Sequence, residues 1–277
     1  MKALVNLSYF ETDTLNTLLT RLNDLNLNNQ GLIFSKIGSL SFFDFLTNLT
    51  EDKFEKFKEL NLNIQAVYLP IEKEYAELTA KESETFLTRL KELKVKTILI
   101  RPVFSASSRI ELKKELIKLK WQLRKFKVVF ALKESSDQIV LKNLIDKKIK
   151  FQMYFDPVYF YLNNLGSLGH FKIFFKYISL LRLVDIDESG KGEFLNFGIF
   201  AVNEMAKQLK VHGRLPILVL DSMSACFFET PEKQKSLNKK SRNVQELQLL
   251  NEPSVNFLTV LKSEFQAILK LSAAIES

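Results

Sequence analysis

Eight short apolar runs recur along the chain at intervals of about 30 residues, each closing near a polar or charged residue. They are Ala3–Leu7, Leu32–Phe34, Ile64–Leu69, Thr97–Ile100, Val128–Leu132, Phe151–Phe155, Leu180–Ile186 and Pro216–Leu220. Between most of them lie charged stretches with apolar residues at three- and four-residue spacing, the period of a helix with one buried face. Strand alternating with helix eight times predicts an α/β chain folded as a (βα)8 TIM barrel. The aliphatic runs in KTILIRP and LPILVLDS suit parallel strands buried on both faces. An open doubly wound sheet would be expected to carry a glycine-rich phosphate turn. With eight glycines in all, neither GxGxxG nor GxxxxGK[ST] is present.

Local signals place the helices. Thr50 heads Glu51–Leu60, Thr79 precedes Lys81–Leu93, Ser107 or Ser108 caps Arg109–Arg124, and Ser135–Asp137 starts the next helix. Ile37–Asn48 and Val158–His170 read as loops, the second followed by a short helix over Phe171–Ser179. A long polar segment, Ser222–Asn251, separates the last strand from a final helix near Pro253–Ala274.

No Pro/Gly/Ser-rich linker or shift in apolar content divides the 277 residues, so a single domain spanning 1–277 is expected. Cys226 is the only cysteine, and MKALVNLSYF lacks the layout of a signal peptide. The longest apolar stretch, Phe171–Val184, is broken by Lys172, Lys176 and Arg182. A soluble, cytoplasmic protein with no membrane partner is the expectation. The net charge of +8 comes from 40 Lys+Arg against 32 Asp+Glu, with the lysines scattered over helix faces. That pattern describes solvated surface and makes nucleic acid an unlikely partner.

In a barrel, the residues closing each strand face a shared mouth. Here they are Lys36, Glu72, Arg101, Lys133, Glu134, Asp156, Asp185, Asp187 and Asp221. Strands five to eight each end in a carboxylate, and oxygen ligands converging from neighbouring strands suit a hard divalent cation, Mg²⁺ or Mn²⁺. Lys36, Arg101 and Lys133 at the mouth are candidates for binding a phosphate or carboxylate. So are Lys191, in the loop after strand seven, and the basic run Lys233–Arg242 after strand eight, because those two loops commonly form a barrel's phosphate site. His170 lies within reach of the mouth, whereas His212 precedes strand eight at the opposite end.

The segments VVFALKE, MYFDPVYFYLNN, ISLLRLVDIDESGKGEFLNFG and LPILVLDS resemble the xylose-isomerase-like TIM barrels, the sugar phosphate isomerase/epimerase family. The resemblance implies a divalent metal, a sugar or sugar phosphate substrate, and proton transfer between adjacent sugar carbons. It places Glu134 and Asp221 as the proton-transfer pair and Glu134, Asp156, Asp185 and Asp221 as metal ligands. The match is partial: Tyr159 stands where the family has a His three residues after the strand-six Asp. Asp185 replaces the strand-seven His, and Asp221 is one methylene shorter than the family's Glu. A phenol is a poor metal ligand unless ionised, with an ordinary pKa near 10. With two histidines, the related three-metal apurinic-site endonucleases are excluded. Two readings follow: a metal-dependent isomerase or epimerase, and a catalytically inactive barrel that binds an anionic metabolite or a partner protein.

Overall fold

The computed structural model describes residues 3–6, 30–37, 40–69, 80–104, 108–186, 192–193, 199–200, 202–212 and 216–220, with isolated positions at 16, 19, 20, 188, 266 and 270. Eight strands form the frame: β1 (Ala3–Asn6), β2 (Gly31–Phe34), β3 (Ile64–Tyr68), β4 (Thr97–Ile100), β5 (Lys127–Ala131), β6 (Met153–Phe155), β7 (Ile178–Leu183) and β8 (Ile217–Leu220). Each pairs in parallel with its sequence neighbours, and β1 closes the barrel on β8 through the register Ala3↔Leu218 to Val5↔Leu220. The expected (βα)8 barrel is the observed fold.

Side-chain alternation divides every strand between two cores. Leu4, Ile33, Ala66, Leu99, Val129, Ala131, Tyr154, Leu180 and Val219 fill the lumen, with at least one residue from each strand. The intervening residues, such as Phe34, Val67, Ile98, Phe130, Phe155 and Leu181, pack outward under the helices. Continuing the inward parity two residues along gives Arg101 after Leu99, Lys133 after Ala131, Asp156 after Tyr154 and Arg182 after Leu180. The barrel's periodicity therefore selects which side chains the mouth receives.

The helices described over their length are, in chain order, α1 (Phe42–Asn48), α2 (Glu51–Glu59), α3 (Ala80–Glu92), α4 (Arg109–Gln122), α5 (Ser135–Asp146), α6 (Pro157–Leu162), α7 (Ser167–Phe174) and α8 (Val202–Val211). Phenylalanine supplies much of the packing beneath them. Phe34 stacks on Phe42 at 4.9 Å, Phe43 meets Phe86 at 4.8 Å, and Phe155 stacks on Phe160 at 4.8 Å. Arg89, buried on α3, donates to the carbonyls of Leu46 and Leu49 and to Glu51. It thereby satisfies carbonyls that the end of α1 leaves without helical partners.

Two segments read as loops are helical. In the first, a short hairpin pairing Lys36 with Ser41 precedes α1, and the Ser41 hydroxyl caps the helix by accepting from Asp44 N at 3.0 Å. The aromatic-rich FFDFLTN has weak intrinsic helix preference, so burial of Phe42, Phe43 and Leu46 decides its conformation. In the second, α6 and α7 occupy most of Val158–His170. The start signal is Asp156 followed by Pro157: the carboxylate accepts from Val158 N at 2.9 Å, and proline fits the first helical position.

Candidate functional site

The mouth on the β4–β7 side is organised by arginine. Arg101, just past β4, donates through Nε to Asp137 Oδ1 at 2.8 Å. Its Nη1 donates to Glu134 Oε1 at 2.8 Å, and Nη2 to the other Glu134 oxygen. Asp137 is 2% exposed. Its second oxygen accepts the backbone N–H groups of Lys133 at 2.8 Å and Glu134 at 2.9 Å. It thus reaches back across the first turn of α5, where a negative charge is also favoured by the helix dipole. Burial pulls the Arg101 pKa down, but hydrogen bonds to Asp137 and Glu134 outweigh it, and the net direction is up.

The two acids around this guanidinium differ in kind. Asp137 is enclosed, whereas the Glu134 side chain is 57% exposed. Arg101 is therefore anchored through Nε by the buried acid, and its two Nη groups project to an exposed one. The Tyr159 hydroxyl donates to the Glu134 carbonyl at 2.6 Å, fixing the same turn from α6. Burial, reinforced by the nearby Asp137 charge, pushes the Tyr159 phenol up to about 12. It stays protonated at neutral pH and acts as a hydrogen-bond donor.

The neighbouring pair lies one strand on. Arg182, from the inward register of β7, donates through Nη1 to Asp156 Oδ2 at 2.6 Å, while the other Asp156 oxygen caps α6. Both side chains are mostly buried. In the lumen below, Tyr154 meets Tyr68 edge to face at 6.1 Å.

The sequence-selected residues thus divide. Arg101 and Glu134 come together, and Asp156 sits at the end of β6 as expected. Asp185 lies past β7 in a two-residue pairing with Gly192–Glu193. It is fully buried, and its Oδ1 accepts from Ile186 N at 3.0 Å and Phe200 N at 2.9 Å, tying that hairpin to the approach to α8. His170 lies within α7, its ring stacked on Phe160 at 4.9 Å and its Nδ1 3.0 Å from the Gly166 carbonyl. Lys133 is exposed at the start of the α5 turn, and the backbone of Lys36 pairs in the hairpin before α1. Asp221, Asp187, Lys191 and the basic run Lys233–Arg242 lie outside the described residues.

Asp137 and Arg182 are the residues that strand-end counting passes over. The first lies three residues inside α5. The second lies within β7, where its charge reads as an interruption of an apolar run. Among the described residues, no three His, Cys, Asp or Glu side chains converge in a way that could hold a metal ion. The donor chemistry points the same way: Glu134 and Asp156 are each ion-paired to an arginine, and Asp185 is committed to backbone amides. These described donors do not fit a divalent cation.

No protein-family model matches the sequence, and no curated protein does. Solved structures do match. D-allulose 3-epimerase from Methylomonas sp. superposes with a TM-score of 0.54 at 9% identity, covering 98% of each chain. A xylose isomerase domain protein from Planctomyces limnophilus gives 0.52 at 12% identity, covering 99% of this chain and 96% of that one. A sugar phosphate isomerase/epimerase from Parabacteroides distasonis gives 0.51 at 13%, covering 100% and 95%. This chain shares the (βα)8 barrel fold of these solved structures. At these identities the likeness is one of fold.

Proposed function

We propose that this chain is a non-catalytic barrel of the sugar isomerase fold whose mouth binds an anionic sugar derivative without a divalent metal. The observation that carries the reading is the asymmetric clamp on Arg101. Asp137 holds Nε from a buried position, and the exposed Glu134 carboxylate takes the two Nη groups in a forked arrangement. A guanidinium presents the same fork to a phosphate as to a carboxylate. An incoming phosphate or carboxylate displaces Glu134, whose release to water costs little, and inherits a cation that is already oriented. The N-terminus of α5 adds a favourable field for negative charge. Nearby, Lys133 adds positive charge.

The competing reading is a metal-dependent isomerase or epimerase with Glu134 and Asp221 exchanging the proton, and the shared fold favours it. It requires Glu134 and Asp156 to leave their arginines, which breaks the mostly buried Arg182–Asp156 pair. Removing one partner of a buried pair costs about 3–5 kcal/mol. That cost is why the first reading is preferred.

The test is calorimetric titration of inorganic phosphate and of a hexose phosphate into the protein in EDTA. Binding of the hexose phosphate is expected, weakened about tenfold or more in Arg101→Met, the loss that follows from one charge-assisted fork. Glu134→Gln, which removes the internal competitor, binds at least as tightly as the wild type. Equal affinity in wild type and Arg101→Met would contradict the proposal.

A further inference from the structure

The outer surface of α4 carries a second apolar stripe that packs against nothing in the described barrel. Leu112, Leu116 and Leu123 are buried and face the strands. Ile110, Ile117 and Trp121 are 69%, 65% and 67% exposed. Their spacings of seven and four residues bring them onto one line along the opposite face. Exposed lysines flank that line on both sides: Lys114 and Lys118 on one, Lys113 and Lys120 on the other. Over residues 109–125 there are seven Lys or Arg against two Glu. At the C-terminal end the stripe opens into a groove of about 240 Å³, walled by Leu87, Trp121 and Phe126 and rimmed by Lys91, Arg124 and Lys125. The Arg124 guanidinium lies 5.4 Å from the Trp121 ring.

We infer that this face of α4 docks on a bilayer bearing anionic headgroups. An apolar line ending in tryptophan and bordered by lysine is the composition of a helix that lies in a membrane interface, where apolar burial and attraction to acidic lipid add. A second copy of the chain is disfavoured because symmetric pairing sets lysine against lysine. A protein partner is disfavoured by the flanks themselves: protein interfaces are depleted in lysine, and Lys113, Lys114, Lys118 and Lys120 border the line against the single Arg124 at its C-terminal end. No helix among the described residues is long and apolar enough to cross a membrane, and a surface contact needs none.

Trp121 is the chain's only tryptophan, so its emission reports on the docking face directly. The full-length protein is mixed with vesicles of phosphatidylcholine alone, and with vesicles in which phosphatidylserine replaces part of it. Emission is expected to shift to the blue with the acidic vesicles only, with co-sedimentation that falls as salt is raised. The double variant Ile110→Ser/Ile117→Ser should bind at least about tenfold more weakly, since both side chains would lose their burial in the interface. Lys113→Glu/Lys114→Glu/Lys118→Glu should abolish binding. Both variants alter exposed positions, so their circular dichroism and melting should match the wild type. No shift with acidic vesicles, an equal shift with neutral ones, or wild-type binding by the isoleucine variant would overturn the inference. So would association with an acidic protein in the absence of vesicle binding.

Discussion

Replacing Asp137 with alanine should destabilise the protein far more than replacing Glu134, although both acids hold Arg101. Asp137 accepts three hydrogen bonds, from Arg101 Nε and from the amides of Lys133 and Glu134, at 2.8 to 2.9 Å. Its removal strands two backbone donors and half of the guanidinium's compensation. Hydrogen bonds to a charged group contribute roughly 1.5–3 kcal/mol, and breaking a buried ion pair costs about 3–5 kcal/mol. Glu134 still holds the Nη groups of Arg101, so a loss of about 3–4 kcal/mol is expected for Asp137→Ala. At roughly 2 °C per kcal/mol for a chain of this size, the midpoint falls by roughly 6–8 °C. Glu134→Ala removes a mostly exposed partner and should cost less than about 1 kcal/mol. Urea unfolding followed by circular dichroism measures both. Stabilities for the two variants within about 1 kcal/mol of each other would refute the view that the buried acid anchors the arginine.

Tyr159 predicts an alkaline sensitivity. Its pKa is about 12 in the folded protein and near 10 when unfolded, so between those values the unfolded chain has released a proton that the folded one retains. Stability is fully present below about pH 10 and declines by about 2–3 kcal/mol as pH rises toward 12. Tyr159→Phe should lack this component, so its stability deficit relative to wild type should shrink across that range in urea unfolding. Arg89→Ala should cost about 3 kcal/mol, because the carbonyls of Leu46 and Leu49 lose a buried charged donor. Thermal melting checks it, and Arg89→Lys should recover only part, since one ammonium does not reproduce the fork.

The barrel was legible because parallel strands buried on both faces leave a strong periodic signal, and all eight apolar runs became its strands. Helices built from aromatics were not: α1 draws its stability from Phe42 and Phe43 in the core rather than from local preference. Among the described candidates, Glu134, Asp156 and Asp185 follow β5, β6 and β7, yet strand position alone does not reveal what a carboxylate binds. Asp185 is a case in point, since its fully buried oxygen serves amides from segments 186 and 200, a contact fixed by tertiary structure. Arg182 was legible in principle. It lies two residues beyond Leu180 on the inward register, but inward parity becomes usable only once the lumen residues are known.

Arginines already occupy Glu134 and Asp156, two of the carboxylates that a metal site at this mouth would need. Titrating Mn²⁺ into the protein while following the electron paramagnetic resonance of the free ion tests this most directly. The free-ion signal should rise in proportion to added Mn²⁺, with no site tighter than the millimolar range. Micromolar binding lost in Asp156→Asn or Asp221→Asn would contradict it.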